Sequence, residues 1–192
     1  METRLQQIKA VMRKGDRRLL KEFEERLIRK EYRKTDHLVN LGQVARHLHF
    51  IESGLVRHYR PDREGRVYNV WFSTEGNVIV PMSSFIAQQP TQEAMVALER
   101  TISQTLSYDD LNYLTQKYHL AETIHRRGVE RYFMDLEERL YNMQAYTSRE
   151  RYLHLLEHFP EIIQRVPQYQ IASYLGVAKE TLSRLRAELR GT

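Results

Sequence analysis

The spacing of apolar residues changes twice along the chain, and each change marks a change in the predicted secondary structure. Residues 2–30 carry apolar side chains three or four positions apart with a break at Gly15, which predicts short helices. From about Arg29, short segments rich in Val, Ile, Tyr and Phe alternate with glycines, a rhythm typical of antiparallel strands. After Tyr108 the helical period returns, and its longest stretch covers residues 119–144.

Turn and capping signals set the limits of several elements. Residues 61–65, PDREG, lie between two alternating segments and predict a hairpin turn. Residues 83–89 predict a short helix inside the strand region, and residues 95–107 predict two more strand segments. Asp109 or Asp110 can cap a helix that runs to about Tyr118. Thr147 and Glu150 form a capping box that begins a later helix, which ends near Phe159–Pro160. Pro167 lies at a suitable start for the next helix.

The last 25 residues, 168–192, have the pattern of a helix-turn-helix, in which one helix enters the major groove of DNA. Ala172 is small where the two helices touch, and Gly176 lies at the turn, where it accepts a positive φ without steric cost. The positions that bury apolar faces between the helices are Ile171, Leu175, Val177, Leu182 and Leu185. The positions left facing outward are Lys179, Glu180, Thr181, Ser183 and Arg184. An ordinary pair of packed helices is the alternative.

Composition restricts the classes of protein that the chain can represent. The net charge is +5 over 192 residues, and residues 145–192 carry only seven basic against five acidic residues, so the DNA interpretation depends on pattern rather than on bulk charge. Cysteine is absent, which excludes disulfides, thiolate zinc sites and cysteine-ligated iron–sulfur clusters. No apolar run is long enough to span a bilayer and no signal-peptide core is evident, so we expect a cytoplasmic protein without a membrane partner.

Two histidine pairs are candidates for metal binding. Residues 154–158 match the H-x-x-E-H pattern, and His47 and His49 project from the same side of a predicted strand. Each pair would need a third ligand, and an exposed helix or strand face is the alternative in both cases. There is no phosphate-binding Gly-Lys-Ser/Thr loop, no G-x-G-x-x-G and no G-x-S-x-G. We therefore assign no catalytic or metal residues and expect that the protein is not an enzyme.

The whole order of elements resembles the Crp/Fnr family of bacterial transcription regulators. The resemblance is carried by residues 50–66 (FIESGLVRHYRPDREGR), by the segment 72–111, and by residues 171–186, whose K-E-T-L-S-R matches the family's recognition helix. It implies an α+β fold: an antiparallel, jelly-roll-like β-roll of the cyclic-nucleotide-binding type, a long dimerisation helix, and a winged-helix-type helix-turn-helix. The expected domains are 1–118 for the effector domain, 119–144 for the dimerisation helix and 145–192 for DNA binding.

The resemblance also implies which residues read DNA. Glu180, Ser183 and Arg184 fall at the base-reading positions, which suits their chemistry, since Arg pairs with guanine and Glu accepts from cytosine N4. Other outward residues are candidates for phosphate contacts that set register. The complete set of expected DNA contacts is Gln168, Tyr169, Ser173, Lys179, Glu180, Thr181, Ser183, Arg184 and Arg186, with Arg190 as a further candidate. Little sequence remains for a wing beyond the recognition helix, and residues 161–167 are short for one.

One departure from the family concerns its cyclic-nucleotide cassette, which has a Gly-Glu pair, a short helix, then Arg followed by Ser or Thr and Ala. In residues 77–99 the Gly-Glu position reads Val80-Pro81, and the position of the Arg-Ser pair is near Thr91-Gln92. No Arg occurs between Arg66 and Arg100, so a buried cyclic phosphate would lack its cation. We therefore do not expect cyclic AMP to bind by the usual chemistry.

A less charged effector remains an alternative, as does a β-roll without any ligand, and haem bound through a histidine also remains open. The candidate effector pocket consists of Val80, Pro81, Ser83, Ser84, Phe85, Thr91 and Gln92.

The function that follows is sequence-specific binding of double-stranded DNA by a homodimer with a palindromic operator. The dimer seam is expected along residues 119–144, on the stripe Leu120, Ile124, Gly128, Tyr132, Leu136, Leu140 and Met143. RNA polymerase and an unidentified small-molecule effector are further candidate partners, with the effector acting by shifting the helix pair. The alternative is a small-molecule sensor that acts through a protein partner and reads no DNA.

Overall fold

A computed structural model describes residues 2–190, apart from the side chain of Arg190. Two short helices come first, α1 (Arg4–Gly15) and α2 (Arg17–Arg26), as the apolar period predicts. Asp16 separates them because its backbone is extended and its carboxylate accepts hydrogen bonds from the first amides of α2, at 2.8 Å from Arg18 N. The break predicted at Gly15 is therefore produced by the capping residue that follows it.

Eight strands follow, and they form two antiparallel four-stranded sheets. They are β1 (Ile28–Tyr32), β2 (His37–Val39), β3 (His47–Ser53), β4 (Val56–Pro61), β5 (Val67–Ser73), β6 (Val78–Ile79), β7 (Ala94–Ala97) and β8 (Thr101–Ser107), with helix α3 (Met82–Ala87) between β6 and β7. The strand orders are β1-β8-β3-β6 and β2-β7-β4-β5. Except for β4 and β5, strands that follow one another along the chain lie in different sheets. This is the β-roll arrangement that the sequence predicts.

The β4–β5 hairpin forms where residues 61–65 predict it. Asp62 Oδ1 accepts hydrogen bonds from the amides of Glu64 (2.8 Å) and Arg66 (2.9 Å), and Gly65 has φ +81°. The aspartate thus closes the turn, and glycine takes the left-handed position that other residues avoid. The predicted helix at 83–89 is α3, and the two segments predicted in 95–107 are β7 and β8.

Six helices complete the described chain. They are α4 (Tyr108–Lys117), α5 (His119–Ala145), α6 (Ser148–His158), α7 (Pro160–Arg165), α8 (Gln168–Leu175) and α9 (Lys179–Arg190). Thr147 and Glu150 form the predicted capping box of α6. One boundary prediction is wrong. Ser107 caps α4, while Asp109 and Asp110 lie in its first turn. The predicted helix end near Phe159–Pro160 is confirmed, since α6 ends at His158 with Phe159 as its C-cap, and Pro160 then begins α7 because proline suits a first helical position.

Two apolar cores hold the molecule together. The first lies between the sheets and the helices α1, α2 and α4, where Phe23 meets Phe50 edge to face at 6.0 Å. The second joins the C-terminal helices to the sheet domain, since Leu55 and Phe72 are buried together with Leu155, Ile171 and Leu182. Residues 119–190 contain no strand, so no wing lies in this part of the described chain.

Candidate nucleic-acid interface and the ligand region of the sheet domain

The helices α8 and α9 form the helix-turn-helix, with the geometry that the sequence predicts. Gly176 ends α8 in the left-handed conformation at φ +67°, and the amide of Val177 donates to the carbonyl of Ala172 at 3.0 Å. Ala172 and Leu182 are almost completely buried, at 2% and 1% exposure. The turn and the apolar contact between helices therefore fix α9 against α8 and leave its other face outward.

The outward face of α9 presents most of the predicted base-reading residues to solvent. Lys179, Glu180, Ser183 and Arg184 are exposed, and Thr181 is half-buried. None of the ion pairs between described residues involves Lys179 or Arg184. These two cations are therefore not engaged in ion pairs with the residues that the structure describes.

Three predicted contacts from different elements meet in one cleft beside this face. Gln168 at the start of α8 lines a cavity of about 170 Å³ together with Ser183 and Arg186 of α9. Tyr169 next to it is 59% exposed. The start of α8 and the outward face of α9 thus form a continuous polar surface, which is the arrangement that a helix-turn-helix uses for phosphate and base contacts.

Ser173 has a partner within the chain. Its Oγ accepts a hydrogen bond from the amide of Asn69 on β5 at 3.1 Å, and Asn69 Nδ2 donates to the carbonyl of Gln170 at 2.8 Å. Close by, the rings of Phe72 and Tyr174 pack with centroids 5.4 Å apart. This side of α8 therefore docks on the sheet domain, and the role of Ser173 as a phosphate contact stays a prediction.

Two arginines that the sequence did not single out hold this docked arrangement. Arg139 on α5 stacks over the ring of Tyr174 at 3.7 Å and donates to its carbonyl. Arg165 on α7 pairs with Glu75 at 2.8 Å and with Glu99 at 2.6 Å. Both carboxylates belong to the sheet domain, so the helix-turn-helix is fixed to it by charge as well as by the second core.

The predicted dimer stripe on helix α5 consists of a packed part and an exposed part. Leu120 and Ile124 pack on the first core of the same chain. Beyond Gly128, the stripe is exposed at Tyr132, Leu136, Leu140 and Met143, and further large apolar residues on the helix, Phe133, Met134 and Tyr141, are exposed as well. The N-terminal third of α5 is therefore occupied within the protomer, whereas its C-terminal two-thirds carry exposed apolar residues as well as Arg139, which packs on Tyr174.

The seven residues of the predicted effector pocket do not line either of the two cavities described for this chain. Val80, Pro81 and Phe85 are buried. The Ser84 hydroxyl accepts from the amide of Ala45 and donates to a carbonyl, and the Thr91 hydroxyl bonds with the backbone of Glu93. Ser83 and Gln92 are exposed. The buried hydroxyls thus serve the local backbone rather than an open pocket.

The same region instead holds a charge cluster of His58, Arg60, Ser73 and Glu93. His58 Nδ1 lies 3.0 Å from Glu93 Oε1 and therefore carries the proton, because a carboxylate only accepts. The other ring nitrogen lies 3.2 Å from Ser73 Oγ, and Arg60 reaches Glu93 Oε2 at 3.2 Å. Burial alone would raise the pKa of Glu93, but the hydrogen bond from His58 and the charge of Arg60 hold it below its usual value.

The charge cluster lies close to α5. Tyr132 on that helix is 37% exposed, and partial burial of the side chain, together with the negative charge of Glu93, raises its pKa. One signal in the sequence marked the cluster: Glu93 is the single charged residue in the stretch 76–98. A lone charge beside buried strands requires a buried partner, although the sequence does not say which residue provides it.

The histidine pairs do not form metal centres with other described residues. No group of three or more His, Asp or Glu side chains that could hold a metal ion occurs within residues 2–190. His154 and His158 stack on each other at 4.3 Å, and His154 Nε2 lies 3.3 Å from Glu138 on α5. His47 and His49 do face the same way, and both line a second cavity of about 220 Å³.

Among the described helices, none is long and apolar enough to cross a bilayer.

Comparisons with known proteins agree with this architecture. Residues 29–118 match the family model for the cyclic nucleotide-binding domain. No curated protein sequence gives a significant match. Among solved structures, the chain is similar to a protein from Eubacterium rectale assigned to the crp/fnr family of transcriptional regulators, with 15% identity, a TM-score of 0.72, and coverage of 94% of this chain and 86% of that one.

Two further structures are similar over most of their length. FixK2 from Bradyrhizobium japonicum shows 19% identity and a TM-score of 0.70, covering 86% of this chain and 85% of FixK2. The c-di-GMP responsive global regulator CLP from Xanthomonas campestris shows 19% identity and a TM-score of 0.68, covering 92% of each chain. At these identities the likeness establishes the fold.

Proposed function

Because residues 29–118 match the family model for the cyclic nucleotide-binding domain and the chain has the fold of solved Crp/Fnr transcription regulators, we propose that it is a homodimeric, sequence-specific DNA-binding regulator. Site chemistry supports the function, since a fold alone does not determine what a protein does. The supporting observation is the outward face of α9, where Lys179, Glu180, Ser183 and Arg184 are exposed beside a buried Leu182. These side chains suit base edges in the major groove.

Dimerisation is supported by the uncovered part of α5. Leu140 is 58% exposed and Phe133 is 66% exposed, and the helix carries five more large apolar residues that are 37% to 59% exposed. An apolar surface of this kind on a long helix is typical of a seam between protomers. Two-fold symmetry would place the two α9 helices in successive major grooves, about 34–36 Å apart, so the operator would be palindromic.

The charge cluster supports DNA binding without a cyclic nucleotide. Glu93 places a buried negative charge within the stretch that corresponds to the cassette, and its partner Arg60 is already engaged. A phosphate brought beside Glu93 would be repelled and would find no free cation there. In the proposed regulator, the region that corresponds to the cyclic-nucleotide site is therefore occupied by the chain's own paired charges. Contact with RNA polymerase stays a prediction.

Selection of duplexes from a random library by the purified, ligand-free protein at near-physiological salt tests the proposal. We expect a palindromic consensus whose affinity falls steeply with salt while the operator preference persists. A variant with Lys179, Ser183 and Arg184 all replaced by Ala is the control, since those side chains are exposed and their loss should abolish enrichment without unfolding the chain. Absence of any consensus would favour the sensor that acts through a protein partner.

A further inference from the structure

The cavity that contains His47 and His49 has walls of two different kinds. It lies where the edge strands β1 and β2 approach β3 and the loop before it. Its polar side consists of Lys30, Gln43, Arg46, His47 and His49, and its apolar side consists of Leu38, Val39 and Val44. We refer to it as the basic cavity. It belongs to neither the charge cluster nor the helix-turn-helix.

The cations of the basic cavity are not neutralised by any described residue. Among the described residues, neither Lys30 nor Arg46 forms an ion pair with a carboxylate, and no acidic residue lines the cavity. The acidic group whose charge acts on His47 is Asp110, but that carboxylate is already paired with Arg26 at 3.3 Å. Positive potential in a concave, partly apolar site concentrates anions and repels metal ions.

His49 provides a buried hydrogen-bonding group that the chain scarcely uses. The residue is 2% exposed, and its Nδ1 lies 3.4 Å from Ser103 Oγ, which is long for a hydrogen bond. No other described group bonds to the ring. Burial, reinforced by the positive charge of Lys30 and of neighbouring histidines, lowers the pKa of His49 to about 3. The imidazole is therefore neutral at pH 7 and can donate one N–H to a ligand.

Size and the apolar wall define the ligand further. A cavity of about 220 Å³ is larger than the roughly 150 Å³ that holds one benzene molecule, so it has room for a ring-sized body with one polar group. Leu38, Val39 and Val44 would contact the body, while Lys30 and Arg46 would meet the charge. An inorganic anion would leave the apolar wall without a contact.

We propose that the basic cavity binds a small organic carboxylate, with the carboxylate held by Lys30 and Arg46 near the N–H of His49 and the apolar body against Leu38, Val39 and Val44. The inference is independent of DNA binding. It also accounts for the His47 and His49 pair, because the two rings line the cavity together with Lys30 and Arg46 and with no carboxylate. The bound charge would raise the pKa of His49.

Titration of the full chain with benzoate, followed through the imidazole NMR signals of His47 and His49, tests this proposal. We expect saturable shifts with a dissociation constant on the order of 1 mM, typical of a ligand of this size. Benzamide, which has the same shape without the charge, should bind at least about tenfold more weakly, because it loses the charged hydrogen bonds. Inorganic phosphate serves as the anion without an apolar body.

Matched variants make the assignment specific. Arg46→Gln and Lys30→Gln should each weaken benzoate binding about tenfold. Arg63→Gln, which removes the same charge from the exposed hairpin turn, should leave it unchanged. NMR spectra of the variants without benzoate show whether the fold is intact. Absence of ring shifts with benzoate, equal binding of benzamide, equal binding of phosphate, or equal loss in Arg63→Gln would each overturn the proposal.

Discussion

Arg165 and Glu75 form a bidentate ion pair across the junction between α7 and the sheet domain, with Nη1 2.8 Å and Nη2 2.9 Å from the two carboxylate oxygens. The same guanidinium reaches Glu99, and Glu75 also accepts the amide of Gly54 at 2.8 Å. One side chain from the C-terminal helices thus joins the loop after β5 and the loop after β7 directly, and the loop after β3 through Glu75. This relationship ties the position of the helix-turn-helix to that of the sheets.

Replacement of Arg165 by Met should therefore weaken the junction. The side chain keeps its apolar stem but loses both carboxylates, and we expect the free energy of unfolding to fall by about 1 kcal/mol, since the pairs are partly exposed to solvent. Urea denaturation measures it. Arg100→Met is the control, because Arg100 pairs with Glu31 at a more exposed site, and it should cost less. Equal losses would contradict a special role for Arg165.

The same pair predicts a dependence of stability on pH. Burial alone would raise the pKa of Glu75, but Arg165 and the amide of Gly54 lower it from 4.5 to about 2. A carboxyl with a depressed folded-state pKa stabilises the fold above its unfolded pKa and loses that contribution as pH falls. The stability advantage of wild type over Glu75→Gln should be constant above about pH 5 and shrink toward pH 2.

Denaturation curves of both proteins at several pH values test this point, since other titrating groups cancel in the difference. If the difference in unfolding free energy between wild type and Glu75→Gln were the same at low and at neutral pH, folding would not lower the pKa of Glu75.

Association through α5 can be tested with two substitutions at equal exposure. Leu140 on α5 and Ile86 on α3 are each 58% exposed. Leu140→Glu would place a carboxylate from each protomer in the proposed seam, and we expect the dimer dissociation constant to rise at least about a hundredfold. Ile86→Glu should leave it unchanged. Sedimentation equilibrium measures both, and equal effects would move the seam away from α5.

Local patterns predicted the parts of the fold in which neighbouring residues decide the structure. Gly176, Ala172 and Leu182 lie within one short frame, so their spacing was enough to predict the turn and the contact between helices. The hairpin at 61–65 followed from the turn chemistry of Asp62 and Gly65 in the same way. Such features depend on residues at most ten positions apart.

Pairings between distant residues could not be predicted in this way. His58 and Glu93 are 35 positions apart, and Arg165 and Glu75 are 90 apart, so no periodicity connects them. The sequence likewise contains no sign that β5 lies against Ser173, whose Oγ accepts from the amide of Asn69. The charge cluster and the junction both depend on how the chain returns on itself, which the sheet topology decides.

Gly176 offers a test of the turn itself. The residue has φ +67°, and a Cβ at this position would lie 3.0 Å from Met143 Cε. Ala avoids the left-handed region, so Gly176→Ala should lower the free energy of unfolding by about 1–2 kcal/mol. Asn tolerates that region, and Gly176→Asn should cost less although it carries the same Cβ. Equal losses in thermal unfolding would assign the cost to the Met143 contact instead of the backbone.

Substitution of Arg184 tests most directly whether the protein recognises individual bases in DNA. An arginine that donates two hydrogen bonds to guanine favours that base over the others by about 1–3 kcal/mol. Arg184→Ala should therefore relax the base preference at one base pair in each half-site. Binding to unrelated duplexes should change little by comparison. Arg149→Ala on α6 is the control, because Arg149 is also exposed and its loss removes the same charge. Competition binding with single-base variants of the selected operator measures both. If the two alanine variants lowered affinity alike at every operator position, Arg184 would contribute only charge, and base reading would have to be assigned to Glu180 and Ser183.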